Sequence, residues 1–489
     1  MIKMAQLHKN GAVFAIQRCF GAGDRTIRRQ VFMEIAMHTG LALGIAIGLF
    51  FTLHPYFVGI VSPQHVYALT LTKEEWVLFG MLIIVFVLGL GYLLSLWLLK
   101  RLDRNGIKRS IKPVSGVFDL KQGLLVGQMC IFCGLLFASV VLVKQMNFVR
   151  HKPIGFDNRN VLCVEWPGDE DIIYPVKEAL LNHPDISAVT NGRPLPIGNW
   201  VMYDVYDVEK PDRKIRSSAL LGDTSYLQTY RMRLLEGRNY RKKWGNYFGV
   251  VQQGEVVINR KMVQELGLKN PVGTVLNYGP STLTVVGVVE DFHYQSLYQS
   301  VNPVLIGADL VGYDSNLNIR YREGKRQAVL DYLRNYFKEN YTGIMMQYTE
   351  YSYSDLYARD IALVKMIHIL TVLAILISGM GIFAFSMFVA ESRTKEIAMR
   401  KISGATEMQV IGLLNQSFIS KMVVACLAGI PVAYYAMHFW LQGFAYRTTV
   451  NWWLFAVDVG VSIALVVSIS SWQSWRAASV NPVDALKDE

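Results

Sequence analysis

Six long apolar stretches divide this chain of 489 residues and decide what it can fold into. A helix needs about 20 residues to cross the roughly 30 Å hydrocarbon core of a bilayer, and each stretch is close to that length or longer. With 52% hydrophobic and only 18% charged residues, the composition excludes both global disorder and an ordinary soluble enzyme. The sequence predicts a polytopic α-helical membrane protein with six spans: Ile35–Leu53, Val77–Leu99, Leu124–Val143, Ile361–Val389, Val410–Met437 and Trp452–Trp472.

Basic residues between the stretches predict the side of the membrane on which each loop lies, because short cytoplasmic loops retain Lys and Arg. Six cations lie between Lys100 and Lys112, so this loop is predicted to be cytoplasmic. The same rule then places both termini and the segment 393–401 inside. The cation-poor loops 53–76 and 438–451 are predicted outside. Because no cleavage site follows the basic residues before Ile35, the first span is expected to be an uncleaved anchor.

The long polar region at 149–360 is predicted to be one large extracytoplasmic α+β domain. Runs rich in β-branched residues predict strands, and periodic apolar residues predict helices. The predicted strands are Asn160–Trp166, Val256–Ile258 and Leu283–Val289, and the predicted helices are Pro175–His183, Asn259–Leu266 and Arg326–Tyr341. Five tyrosines between Tyr341 and Tyr357 are expected to pack a stalk at the membrane surface rather than to form a binding surface.

The sequence lacks several common catalytic motifs. It contains no G-x-x-x-x-G-K-[ST], H-E-x-x-H or G-x-S-x-G pattern, and the nine histidines have no metal-ligand spacing. Cys130 and Cys133 lie inside a span, where small buried residues are favoured over redox or metal chemistry. The net charge of +11 is concentrated beside spans, which argues against nucleic acid. We therefore predict no catalytic residue, cofactor or metal site.

Two features of the spans bear on function. Asp458 comes only a few residues after Trp452 at the outer interface, so a solvated or helix-capping role is favoured over a proton relay. Gly429 and Pro431 are expected to bend the fifth span, either as a working hinge or as packing, and the sequence does not decide between them.

A basic segment occurs twice on the cytoplasmic side, each time directly before a span. Superposing Gly404-Ala405 on Gly21-Ala22 aligns Lys401 with Arg18. In the second copy, Ser403-Gly404 ends one helix, and Thr406 with Gln409 forms a capping box that starts the next. Such a hairpin can anchor to anionic membrane lipid or dock a cytoplasmic partner. The repetition favours docking to a two-fold partner.

Several stretches resemble the FtsX-like permeases of ABC transporters that carry a MacB-like periplasmic core domain. They are QMNFVRHKPIGFD from Gln145, LEGR from Leu235, VINRKMVQELGLKNPVG from Val257, VGVVEDFHYQSL from Val286, KEIAMRKISGA from Lys395 and AASVNPVDAL from Ala477. In this family one unit consists of a span, the periplasmic domain and three further spans.

The resemblance implies a division of the chain into one and a half such units, without the first periplasmic domain of a tandem permease. Residues 100–123 would be a basic cytoplasmic loop. The other parts would be a coupling-like segment at 1–34, two spans of a partial unit at 35–99, a span at 124–148, the periplasmic domain at 149–360 and the FtsX-like permease domain at 361–489.

The resemblance also implies a permease subunit in the inner membrane that docks a separate cytoplasmic ATPase dimer. Contact with the ATPase is expected at Glu396, Arg400, Lys401 and Gly404, with Arg18 and Gly21 in the first copy. A second permease subunit or a homodimer, and a periplasmic adaptor, would be further partners. The alternative is a membrane-anchored receptor whose outer domain binds a peptide or envelope component without driven transport.

Overall fold

A computed structural model describes most of the chain and defines its helices and strands. Beside isolated positions between 74 and 89, it describes residues 17, 20–61, 120–165, 170–196, 202–241, 253–279, 281–308, 316–341 and 346–478. The helices are α1 (Asp24–Val61), α2 (Leu120–His151), α3 (Glu170–Leu181), α4 (Tyr226–Thr229), α5 (Arg260–Leu266), α6 (Arg326–Asn340), α7 (Ala358–Ser392), α8 (Thr394–Ile402), α9 (Glu407–Gln442) and α10 (Trp452–Ala478).

Within these residues, five helices are long and apolar enough to cross a membrane. They are α1, α2, α7, α9 and α10, and they coincide with five of the six predicted spans. The predicted second span, Val77–Leu99, lies outside the described residues apart from isolated positions. Together with the outer domain, these helices make the chain a polytopic membrane protein.

The outer domain contains two β-sheets and is of the α+β class. Four strands form an antiparallel sheet in the order β11-β1-β10-β2, and seven form a mixed sheet in the order β5-β8-β6-β9-β4-β3-β7. Because β7 also pairs with β8, six strands of the larger sheet close on themselves. The strands are β1 (Val161–Glu165), β2 (Ile186–Asn191), β3 (Met202–Asp207), β4 (Lys210–Leu221), β5 (Leu234–Gly237), β6 (Gln253–Asn259), β7 (Val275–Tyr278), β8 (Ser281–Val289), β9 (Val304–Gly307), β10 (Asn316–Tyr321) and β11 (Gln347–Thr349).

The six elements predicted for this domain are all present, as β1, β6, β8, α3, α5 and α6. Helix α5 shows why the local sequence was sufficient to predict these elements. The side chain of Asn259 accepts a hydrogen bond from the Met262 amide and caps the first turn. Gly267 then ends the helix at a φ of 68°, in the left-handed region that glycine adopts without steric cost.

The described chain divides into two compact units. One contains the spans, and the other contains residues 145–358 together with the short segment Trp440–Thr448. That segment joins α9 to α10, so part of the loop between two spans is built into the outer domain.

Helices α2 and α9 approach closely where both carry small residues. A Cβ added at Gly429 would lie 2.4 Å from the carbonyl oxygen of Cys130, which is a backbone atom and has little freedom to move. Gly134 of α2 faces the same crossing, with its added Cβ 3.5 Å from the Gly429 carbonyl. Small residues at such a crossing let helix backbones approach each other in a membrane. The structure therefore supports packing as the role of Gly429.

We expect Gly429→Ala to destabilise the membrane unit by about 1–3 kcal/mol, because the new methyl group forces α2 and α9 apart. Gly412→Ala on the same helix is the matched control, since an added Cβ there meets nothing within 4 Å. The control should be neutral or slightly stabilising, because alanine is the better helix former. Thermal unfolding of the full chain in detergent measures both. Equal midpoints for the two variants would contradict the packing role.

Candidate functional site

The predicted docking hairpin is formed by α8, a tight bend and the first turn of α9. Gly404 has a φ of 93°, and the amide of Ala405 donates to the carbonyl of Arg400 at 3.0 Å, which closes the end of α8. The predicted capping box is present. The amide of Thr406 donates to Gln409 Oε1 at 3.0 Å, and the Gln409 amide donates back to Thr406 Oγ1 at 3.4 Å.

The first copy of the repeat has the same backbone geometry at an offset of 383 residues. Gly21 has a φ of 90°, and the amide of Ala22 donates to the carbonyl of Gln17 at 2.9 Å. Helix α1 begins at Asp24, as α9 begins at Glu407. Gly21 and Gly404 thus occupy equivalent positions in two similar turns, because both permit the positive φ that the bend requires.

The first turns of α1 and α9 also match. The amides of Thr26 and Ile27 both donate to the carbonyl of Gly23, as those of Gln409 and Val410 donate to Thr406. Ile27 and Val410, which are equivalent in the alignment, are both buried. Arg18, the predicted partner-contacting residue of the first copy, lies outside the described residues.

A cleft of about 470 Å³ opens in the bend between α8 and α9. Glu396, Arg400 and Gly404, three of the predicted contact residues, line it. Lys401 does not line the cleft and is half-buried. Below the cleft, Ile397, Val410, Leu414 and Val389 pack into a small apolar core that fixes the angle of the hairpin.

The cleft combines opposite charges with apolar surface, a mixture that is common at protein–protein interfaces. The Arg400 guanidinium donates to Glu396 Oε1 at 2.9 Å across one helical turn, and both side chains are about half exposed. Sequence reasoning missed Arg393, which also lines the cleft. Arg393, Glu396 and Arg400 are spaced i, i+3 and i+7, so helical periodicity places them on one face.

A second structural feature lies in the outer domain, where the segment 440–448 packs against residues 293–298. We call this contact the outer latch. The rings of Phe444 and Tyr298 stack with centroids 3.9 Å apart. The backbone amides of Ala445 and Tyr446 each donate to this strip at 3.3 Å, to Tyr298 and Leu297 respectively.

Gln145, the first residue of the outer unit, holds the same segment with both ends of its amide. Its Nε2 donates to the Tyr446 carbonyl at 3.1 Å, and its Oε1 accepts from the Thr448 amide at 2.9 Å. Gln145 is fully buried, so both bonds are shielded from water. The latch therefore joins the end of α2 to the loop between α9 and α10.

Two of the predicted stalk tyrosines hold the other side of the latch. The hydroxyl of Tyr353 donates to the Gln295 carbonyl at 3.0 Å, and the hydroxyl of Tyr357 accepts from the Leu297 amide at 2.5 Å. Both belong to a 3₁₀ helix at Tyr353–Tyr357 that leads directly into α7. They pack within the domain, as expected from the sequence, and their place in a stalk at the membrane surface stays a prediction.

We expect the outer latch to weaken in acid. Burial, together with the positive charge of Lys152, lowers the pKa of His293 to about 4, and the His293 ring meets Tyr446 edge to face at 4.8 Å. The unfolded chain takes up this proton near pH 6.5. The stabilisation from neutral His293 is therefore complete above about pH 6.5 and is lost as pH falls through about 4.

Since His293 is only partly buried, the expected loss is about 1 kcal/mol. Hydrogen exchange of the amides in 440–448 measures it across this pH range. His293→Gln should exchange with a flatter pH dependence once intrinsic exchange is corrected for. An unchanged dependence in the variant would contradict the assignment.

Comparisons with known proteins agree with this architecture. Residues 139–336 match the MacB-like periplasmic core domain, and residues 368–482 match the FtsX-like permease C-terminal domain. The chain therefore belongs to the FtsX-like ABC transporter permeases with a MacB-like periplasmic core domain.

A curated relative is the macrolide export ATP-binding/permease protein MacB of Chromobacterium violaceum, which is 24% identical over 301 residues. The match covers 56% of this chain and 44% of the relative, so the chain spans less than half of the relative's length. Two solved structures each cover 40% of this chain. They are the periplasmic region of MacB from Actinobacillus actinomycetemcomitans (12% identity, 89% of that chain, TM-score 0.29) and the extracellular domain of YknZ from Gram-positive bacteria (13%, 100%, 0.28).

Proposed function

We propose that this chain is the transmembrane subunit of an ABC transporter that couples ATP hydrolysis by a separate cytoplasmic ATPase dimer to movement of its outer domain. Export of a substrate, or mechanical work on the cell envelope, would be the output. The chain itself breaks no bond in this scheme. It lies in the inner membrane with the outer domain in the periplasm and both termini in the cytoplasm.

The observation that carries the proposal is the duplicated hairpin. Two segments 383 residues apart share the positive φ of Gly21 and Gly404, the hydrogen bond from the next amide to the carbonyl five residues earlier, and the start of a membrane helix. A two-fold ATPase offers two equivalent surfaces, and two equivalent turns suit it. The name of the curated relative, which joins an ATP-binding part to a permease, supports the same pairing.

The latch provides a route for movement to reach the outer domain. Gln145 lies in the last turns of α2, the tyrosines of the 3₁₀ helix precede α7, and the segment 440–448 joins α9 to α10. The tyrosines and the segment 440–448 contact the strip at 293–298 directly, and Gln145 is hydrogen-bonded to that segment. A displacement of any of these four spans would therefore pull on the same strip.

ATP hydrolysis by the partner in reconstituted membranes tests the proposal. The ATPase is isolated by pull-down of the full chain from native membranes, and its activity is measured with and without this chain in lipid vesicles. We expect hydrolysis in the vesicles to depend on the chain. Capture of no ATPase, or a hydrolysis rate that is the same with and without the chain, would favour the receptor function instead. A homodimer, a second permease subunit or a periplasmic adaptor would be recovered in the same pull-down.

A further inference from the structure

Asp458 lies inside the membrane unit and is not solvated. It follows Trp452 by six residues, which is about 9 Å along helix α10 and below the interface at which tryptophans gather. Only 1% of the residue is exposed, and neither carboxyl oxygen has a hydrogen-bond partner among the residues that the structure describes. As the seventh residue of α10 it does not cap the helix. The solvated or capping role expected from the sequence is therefore wrong.

Neutral side chains of α2, α9 and α10 meet one helical turn along α10 from Asp458. The thiols of Cys133 on α2 and Cys426 on α9 contact each other at 3.4 Å, and Cys133 Sγ lies 3.7 Å from the hydroxyl oxygen of Ser462, one turn along α10. On the outer side, the Phe455 ring packs against Phe137 at 5.0 Å.

Among the described residues, no cation compensates a negative charge at position 458. Within the described part of the chain, Asp458 forms no ion pair. The ionisable side chains packed one turn to either side of it are the thiols of Cys133 on α2 and Cys426 on α9, beside Ser462, and Tyr434 on α9, whose ring lies 5.8 Å from the Phe455 ring. An ionised carboxylate without a partner in such surroundings costs several kcal/mol more than a neutral carboxylic acid. The packed bundle therefore favours the protonated acid.

We propose that Asp458 is an intramembrane proton-binding site, which holds its proton while α2, α9 and α10 are packed and releases it when they separate enough to admit water. This inference does not depend on the ATPase. The packed and the hydrated conformation of the helix bundle then differ in the protonation state of Asp458. Because the packed form binds the proton more tightly, acid favours packing and alkali favours separation.

Infrared spectroscopy of the full-length chain in an ester-free detergent tests the proposal directly. A protonated carboxylic acid has a C=O stretch separate from the carboxylate bands, and exposed carboxyls are ionised at about pH 6. Subtracting the Asp458→Asn spectrum from the wild-type spectrum should leave one carboxylic acid band. Glu396→Gln, at an exposed and ion-paired carboxylate, is the control and should leave none. Identical wild-type and Asp458→Asn spectra would overturn the proposal.

Labelling provides a second measurement that needs no variant to fold. A hydrophobic carbodiimide adds to a protonated carboxyl group and leaves a stable N-acylurea that mass spectrometry locates. In wild-type protein at about pH 6, we expect the adduct on the peptide that contains Asp458 and not on Glu396 or Glu407, both of which are exposed to water. If Asp458→Asn fails to fold, this result alone decides: an adduct at Asp458 supports the site, and its absence overturns it.

Discussion

Reversing the charges of Arg400 and Lys401 to glutamate should lower co-purification with the cytoplasmic ATPase by more than tenfold while the chain still inserts into the membrane. Both residues lie in the last turn of α8, where cations interact favourably with the helix dipole. Arg400 lines the cleft and pairs with Glu396 at 2.9 Å. A glutamate at 400 would place two carboxylates one turn apart at the surface predicted to meet the partner.

The matched control changes the same net charge on a helix of the outer domain. Arg334→Glu with Lys338→Glu alters two exposed cations one turn apart on α6. We expect this variant to co-purify with the ATPase as the wild type does. Membrane fractionation shows whether each variant is inserted. If the α8 variant is inserted and still retains the ATPase, the hairpin is not the docking site and the proposed pairing is wrong.

The local sequence was sufficient to predict those features of the structure that depend on interactions between neighbouring residues. The capping box of Thr406 and Gln409 and the left-handed turns at Gly267 and Gly404 require only neighbouring residues. The apolar spans depend on length and composition alone, so five of them are found where the sequence places them. The docking hairpin could be located from a repeat for the same reason, although its partner remains a proposal.

Features that depend on packing between distant segments were not predictable in this way. The burial of Asp458 requires α2 and α9 to cover it, and nothing in the sequence around position 458 specifies which helices do so. The same holds for Gly429, whose role depends on the approach of Cys130 almost 300 residues earlier. The outer latch likewise joins 293–298 to 440–448, and neither stretch carries a pattern that indicates the other.

Asp223 connects several elements of the outer domain, and its loss should destabilise the domain strongly. Its carboxylate accepts from Lys177 Nζ at 2.8 Å and from the Thr190 hydroxyl at 2.6 Å, and also from the backbone amides of Asn191 and Ser225. Thr190 and Asn191 belong to β2 of the four-stranded sheet, whereas Asp223 follows β4 of the seven-stranded sheet. This one carboxylate therefore connects the two sheets and α3.

We expect Asp223→Ala to lower the free energy of unfolding of the outer domain by about 3–5 kcal/mol, because it leaves the ammonium group of Lys177 buried without its counter-charge. The side chains of Lys177 and Asp223 are 13% and 4% exposed, so water can replace the lost partner only in small part, and Lys177 keeps its hydrogen bond to the Ser225 hydroxyl. Urea unfolding of the full chain in detergent, followed by proteolysis of the outer domain, measures the change. Asp212→Ala, at an exposed position of β4, is the control and should change the value by less than about 0.5 kcal/mol.

The double variant Lys177→Met with Asp223→Ala separates charge from hydrogen bonding. If the unpaired ammonium group causes most of the loss, removing it should restore a large part of the stability, since a buried charge without a partner costs more than an apolar side chain in the same place. If the double variant is no more stable than Asp223→Ala, the bonds from Thr190 and the two backbone amides hold the sheets together instead. The connection between the sheets would then rest on those polar groups, and Lys177 could be replaced without loosening the domain.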